Sequence, residues 1–400
     1  MGNDPLLLIL AAGLLAFGLI SQRIERLALT APMLFLLLGV ASGPLLFDWS
    51  APAIESSALK IIAELTLALI LFTDASQVQR SHLVKFENLP IRLLGIGLPL
   101  TMLAGAAIAF ILYPGHWQVA VMIGIILAPT DAALAQSVFS ASAIKEKLRH
   151  SITVESGLND GLALPFLLLI IAIASAGDLS TVDPWYWGNF LFKQIALGAL
   201  VGIAVGYLGG YLLEKAGKHD WMDPVFQRLA SVALALVTYT GAEHSGGNGF
   251  IAVFMAGLFL HAGRTMVVTR LKEFGEAEGQ LLTLVMFFLF GLIYVPDALP
   301  QITSATILYA LLSLTLIRII PVLLALSGTG LSIKEKLFLG WFGPRGIASI
   351  LYLLMVIEQL GFAEQLPGYQ LLFPTIVTTV VLSIFVHGMS VPFWIRWLKR

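Results

Sequence analysis

The stretches Ala128-Pro129-Thr130-Asp131 and Glu155-Ser156-Gly157-Leu158-Asn159-Asp160 place carboxylates, a proline and small oxygen-bearing side chains inside two long apolar runs. At the centre of a bilayer each carboxylate is penalised by about 3 kcal/mol. Three of them beside a helix-breaking proline need a compensating partner, and a cation is the simplest one. The pair of stretches therefore points to ion coupling within a membrane.

Composition supports the membrane setting. The 400 residues are 58% hydrophobic and 12% charged, with a mean hydropathy of +0.90, whereas soluble domains carry about 25% charged residues. Apolar runs near twenty residues recur along the whole length, so the chain reads as an all-α polytopic membrane protein. The absence of cysteine excludes disulfides, thiolate metal sites and thiol redox chemistry. The first apolar run, about 6–20, follows Asp4 and has no basic flank. It reads as a retained span rather than a cleaved signal. The last span stops a few residues before the end of the sequence, which leads us to expect no soluble regulatory domain.

Hydropathy predicts about thirteen transmembrane helices, near 5–21, 31–47, 59–74, 90–113, 117–139, 151–176, 187–213, 226–243, 249–262, 281–295, 302–326, 336–358 and 369–397. Charge supports that alternation. With the N-terminus outside, most of the 23 basic residues fall in inside loops, among them Arg23, Arg26, Arg80, Lys85, Lys145, Lys147, Arg149, Arg264, Arg270, Lys272, Lys399 and Arg400. Outer loops carry Asp48, Asp178, Asp183, Asp297 and Glu364 instead. The positive-inside rule thus predicts an external N-terminus and a cytoplasmic C-terminus. The longest connection, about 263–280, is charged and reads as a cytoplasmic loop.

Spans five and twelve lie seven apart and so cross in opposite directions. Both carry a mid-helix breaker, Ala128-Pro129-Thr130-Asp131 in one and Phe342-Gly343-Pro344-Arg345-Gly346 in the other. Matching interruptions in two halves mark inverted repeats and their binding site. The expected repeats are spans 2–6 and 9–13, with spans 7–8 linking them and span 1 as an addition.

In the sixth span, at about 100° per residue, Glu155, Asn159, Ser156 and Asp160 fall at roughly 0°, 40°, 100° and 140°. All four share one side. Ser156 and Asp160 can supply oxygens to an ion, while Glu155 can face a cationic partner, for which Arg345 is the obvious choice. Asp131 and Asp160 are then left to hold a proton or a monovalent cation, since neighbouring buried carboxylates raise each other's proton affinity. Pro129 frees carbonyls one turn earlier, and Thr130 offers a carbonyl and a hydroxyl. Asp74, at the inner end of span three, can line the approach. The cation at Arg345 can offset whichever helix ends face it.

These motifs, with Gly161 and Gly346 completing them, resemble the monovalent cation/proton antiporters. The likeness is to their electroneutral sodium/proton branch, which includes NhaP-type proteins and animal sodium/hydrogen exchangers. The resemblance implies an NhaA-like fold of thirteen helices with two broken crossing helices, and a homodimer. It implies scaffold and dimerisation segments at 1–88 and 214–300, core segments at 89–176 and 301–400, and a linking span within 177–213. It assigns Asp160 as the cation and proton carrier, Asp131 as its support, and Thr130 and Ser156 as oxygen ligands. Glu155 and Arg345 become a structural ion pair. Asn159 marks the electroneutral branch, and Asp74 stands where an acidic residue reaches the ion. Ala132 stands where many members have Pro. The implied activity is exchange of Na+, Li+ or K+ for H+ without a cofactor, in a prokaryotic cell membrane and with no nucleic-acid partner.

Other readings stand beside this one. An ion-coupled organic solute symporter would need a larger polar cavity. An intramembrane aspartyl hydrolase would leave Asn159 and Arg345 without a role. A channel would pass continuous current. Elsewhere, Lys60 and Glu64 form an i,i+4 pair, and Arg318 snorkels inward or braces the core rather than binding substrate. His244, His261 and His387 are candidate pH sensors. Ser245-Gly246-Gly247-Asn248-Gly249 reads as a flexible turn, because it lacks the lysine and strand of a phosphate loop.

Overall fold

The computed structural model describes residues 4–25, 29–43, 56–78, 88–131, 134, 144–176, 183–260, 265–361 and 368–399. Ala132, His261 and the loop charges Arg26, Asp48, Arg80, Lys85, Asp178, Arg264 and Glu364 lie outside the described residues. All regular structure among the described residues is helical. In chain order the helices are α1 (Asp4–Glu25), α2 (Ala31–Ser42), α3 (Ser56–Gln77), α4 (Asn88–Leu112, with a π turn at Leu93–Gly97) and α5 (Trp117–Ile126). They continue as α6 (Glu146–Ala176), α7 (Pro184–Lys218), α8 (Pro224–His244), α9 (Gly249–Leu260) and α10 (Thr265–Ala298). The last are α11 (Ser304–Leu314), α12 (Leu316–Ala325), α13 (Ile333–Trp341), α14 (Ile347–Leu360) and α15 (Tyr369–Lys399). Among the described residues, eight helices are long and apolar enough to cross a membrane, and α2, α5, α9 and α14 are shorter apolar pieces.

The helix ends follow local chemistry. Asp183 accepts the Trp185 amide at 2.9 Å and Asp223 accepts the Val225 amide at 2.8 Å. In each case a proline occupies the first helical position, where its missing N–H is harmless. Lys215 and Lys218 sit in the last turn of α7, where the macrodipole favours cations. Ser332 and Glu335 form a capping box at the start of α13. The same Glu335 takes an ion pair from Lys145 at 3.0 Å. One expectation fails: residues from Thr265 onward are not a loop but the first turns of α10. Thr265–Gln280 carries Met266, Arg270, Leu271, Lys272, three glutamates, Ala277 and Gln280, good helix formers that carry the helix past its apolar part despite two glycines.

The chain divides into two compact units. The first draws on 1–63, 99–145 and 281–400; the second draws on 64–98 and 146–280. In the first unit, Leu6, Ile9, Leu10 and Phe17 of α1 pack on a cluster of Phe35, Leu284, Phe288 and Leu292 from α2 and α10. There too Lys60 on α3 reaches Glu358 near the end of α14 at 2.6 Å. In the second unit α9 packs against both α6 and α7.

The α7–α9 contact is backbone on backbone. Gly198, Gly202 and Gly206 repeat every four residues and face α9. A Cβ on Gly202 would stand 2.2 Å from the Ala252 carbonyl oxygen, whereas one on Gly188 of the same helix would meet nothing within 4 Å. Small residues at this spacing let membrane helices approach closely. Gly202→Ala is expected to destabilise the protein by about 1–3 kcal/mol through overpacking. Gly188→Ala is expected to stabilise it by about 0.5–1 kcal/mol through helix propensity. Thermal unfolding in detergent should show melting shifts of opposite sign.

Candidate ion-binding site

In the first unit the site residues gather at two interrupted helices. Helix α5 ends at Ile126 and residues 127–131 leave helical geometry; Pro129 cannot supply an N–H to continue the ladder. Helix α13 ends at Trp341 and α14 begins at Ile347, with Phe342-Gly343-Pro344-Arg345-Gly346 between them. The two segments touch through their backbones: the Asp131 amide donates to the Pro344 carbonyl at 2.7 Å.

Each exposed helix end is met by a specific side chain. The Asp131 carboxylate accepts the Ile347 amide at 2.9 Å, which places its negative charge at the amide end of α14. Arg345 takes the carbonyl ends. Its Nε donates to Leu127 at the end of α5 (2.9 Å), one terminal nitrogen donates to Gly343, and the other donates to Ser313 (2.8 Å). The Ser349 hydroxyl completes α5 by donating to the Ile126 carbonyl at 2.9 Å. Among the alternatives left open for Arg345, the structure thus selects carbonyl ends. Asp131, Thr130 and Arg345 are all buried, Arg345 at 0% exposure.

Gly346 allows Asp131 to come this close. A Cβ there would stand 1.9 Å from the Asp131 carboxylate oxygen. Gly343 has a similar role, since its Cβ would lie 2.7 Å from Arg318 Nε and 2.9 Å from Thr130 Cγ2. Arg318, also at 0% exposure, lies against this crossing rather than snorkelling to a surface.

Several partners at this crossing escaped the sequence reading. Ser313 lies beside a kink: α11 stops at Leu314 and α12 starts at Leu316, with Thr315 between at φ −123° and ψ −95°. On α15, Thr375, Thr379, Ser383 and His387 repeat every four residues and all are buried. Ser383 Oγ accepts the Arg345 amide at 2.7 Å. His387 Nε2 lies 2.9 Å from the Trp341 carbonyl, the last residue of α13. The visible signal was the four-residue spacing of small hydroxyls in an apolar helix. His387 was noted only as a titratable group.

The second unit holds the other candidates. Glu155, Ser156, Asn159 and Asp160 are buried on α6, with Asp160 at 2% exposure and Asn159 at 0%. Asp74 is half-buried in the last turn of α3. Gly157 and Gly161 bring α6 against α9, where their Cβ atoms would stand 2.0 Å from Phe254 and 2.5 Å from Ile251. The Ser245–Gly249 turn is tied down on both sides. Gln194 Nε2 donates to the Gly246 carbonyl at 3.2 Å, and the Asn248 amide donates to the Gln194 carbonyl at 2.9 Å. His244 ends α8, exposed.

A helical membrane bundle with buried acidic residues, one of them seated at a helix interruption, is the build of an integral multi-pass ion transporter. The chain belongs to the transmembrane sodium/hydrogen exchanger family, which its residues 9–397 match. It is 28% identical over 343 residues to the K+/H+ antiporter NhaP of Alkalimonas amylolytica, covering 85% of this chain and 57% of that protein. It is 25% identical over 380 residues to the K+/H+ antiporter NhaP2 of Shewanella baltica, covering 93% and 63%. The chain thus spans about three fifths of the length of these relatives. The solved sodium proton antiporter MjNhaP1 from Methanocaldococcus jannaschii shares the fold, with a TM-score of 0.79 over 97% of both chains at 22% identity.

Removing Arg345 would strand three buried carbonyls, each worth about 1–3 kcal/mol. Arg345→Ala is expected to destabilise the protein by about 3 kcal/mol or more. Arg345→Lys should recover little, because an ammonium lacks the planar fork that reaches three directions. Gly346→Ala should cost about 1–3 kcal/mol by displacing Asp131. Melting temperature and folded yield in detergent check all three.

Proposed function

We propose that the protein exchanges a monovalent cation (Na+, Li+ or K+) for H+ across a prokaryotic cell membrane, with both ions competing for Asp160. The family match and the named antiporters among its relatives support this reading. The observation that carries it is the seating of Asp131. Its charge is complemented by the amide end of α14 within its own unit. Asp160, buried on α6, is the acidic group that the resemblance to the antiporters assigns to the exchange. Asp131 supports the ion, Thr130 and Ser156 lend oxygens, Asp74 lines the inner approach, and Glu155 balances the buried cationic charge at Arg345. Asn159 is neutral, so one exchangeable carboxylate gives one cation for one proton and electroneutral transport.

The architecture that fits is thirteen spans in two inverted repeats with two broken crossing helices. The N-terminus is outside and the C-terminus cytoplasmic. A core from 89–176 and 301–400 moves against a dimerising scaffold from 1–88 and 214–300, linked through 177–213. Alternating access around a midplane site is the general scheme. Membership of a transporter family argues against the hydrolase, and small oxygen ligands argue against an organic solute.

Reconstituted vesicles test the proposal. The wild type should dissipate a proton gradient on addition of Na+, Li+ or K+, at rates insensitive to clamped voltage. Asp160→Asn should abolish the exchange, and retained exchange would refute the carrier role. Competition also predicts that the apparent KM for the cation rises about tenfold per unit fall in pH once the proton holds the site. A flat KM would rule out a shared site.

A further inference from the structure

Pro165 lies inside α6, five residues beyond Asp160. A proline has no N–H, so it cannot donate to the carbonyl four residues earlier, which belongs to Gly161. In a bilayer such an orphaned acceptor needs another donor. The structure supplies one from a different helix: Asn248 Nδ2 donates to the Gly161 carbonyl at 3.1 Å. The opposite end of the same amide is equally committed, because Asn248 Oδ1 accepts the amides of Phe250 (2.9 Å) and Ile251 (3.0 Å) at the start of α9. Asn248 is completely buried, and its own amide is held by the Gln194 carbonyl at 2.9 Å.

One side chain therefore caps α9 and replaces the hydrogen bond that Pro165 removes from α6. The replaced bond lies in the turn that immediately follows Asp160. Gly161 permits the approach, since its Cβ would stand 2.5 Å from Ile251 Cγ1 and 3.3 Å from Asn248 Oδ1. Asp160 lies about a quarter turn round the helix from this contact. Losing the donor would let the proline-weakened turn rewind or tilt, and the Asp160 carboxylate would move with it.

We propose that Asn248 is a positioning residue for Asp160: its side-chain amide stands in for the backbone N–H missing at Pro165 and so sets the pitch of α6 where the exchanged ion binds. The inference rests on the reading of Asp160 as carrier. Asparagine suits the position because one amide group holds both an acceptor for a helix start and a donor for a stranded carbonyl. Serine keeps the first role without the reach for the second.

The test is a double-mutant cycle in vesicles, with Na+-driven proton exchange measured for wild type, Asn248→Ser, Pro165→Ala and the double variant. Asn248→Ser should raise the apparent KM for Na+ about three- to tenfold, the range expected for one lost hydrogen bond, with maximal rate per folded protein changed less than about twofold. Pro165→Ala gives residue 165 an N–H for the Gly161 carbonyl. In that background Asn248→Ser should raise KM by less than about twofold. An equal KM penalty in both backgrounds would overturn the proposal, as would an effect confined to maximal rate. Should Asn248→Ser fail to fold, Asn248→Thr serves, since it keeps a capping hydroxyl. Asp160→Asn separates the two readings: retained exchange there refutes the carrier and this proposal with it, whereas lost exchange with an uncoupled cycle refutes the positioning role alone.

Discussion

A helix interrupted inside a membrane exposes amides at one end and carbonyls at the other, and no water is present to satisfy them. The crossing of the 127–131 and 342–346 segments meets this constraint with two opposite charges. Arg345 takes carbonyls from Leu127, Gly343 and Ser313, and Asp131 takes the Ile347 amide. Each charge sits at the helix ends whose partial charge opposes it. A buried guanidinium and a buried carboxylate, costly in isolation, here hold the break open.

The second unit applies the same rule with a neutral group. Pro165 breaks the ladder of α6, and the Asn248 amide repairs it while capping α9. In both units a backbone interruption lies beside a buried acidic residue, and a long-range side-chain bond holds that interruption. The repairs come from far along the chain: Arg345 reaches back 218 residues to Leu127, and Asn248 reaches 87 residues to Gly161. Glycines at Gly346 and Gly161 clear the space for them.

Much of this was legible in the sequence. Pro129, Pro344 and the glycines flanking it marked interruptions because proline removes a donor wherever it stands. Buried carboxylates in apolar runs marked the candidate site for the same energetic reason. The kink at Thr315 was not legible, because Leu-Ser-Leu-Thr-Leu carries no breaker. There the Ser313 carbonyl is bonded by Arg345, a partner 32 residues along the chain. The extension of α10 through Thr265–Gln280 is hidden in the sequence because its charged residues suit a solvated loop as well as a helix end. Asn248 was passed over because its glycine-rich neighbours resemble a generic turn, and its role depends on a proline 83 positions away.

By itself the sequence determined the membrane setting, the helical class, the acidic residues that lie within apolar runs, and where backbone donors are missing. Those properties belong to single residues and their immediate neighbours. Only the tertiary structure decided which side chain answers each missing donor or acceptor. Arg345 meets carbonyl ends and not amide ends, Asp131 meets the start of α14, and Asn248 meets Gly161. The reason is that satisfaction of a buried backbone group is a matter of distance and direction, and local sequence encodes the need without encoding what comes within 3 Å of it.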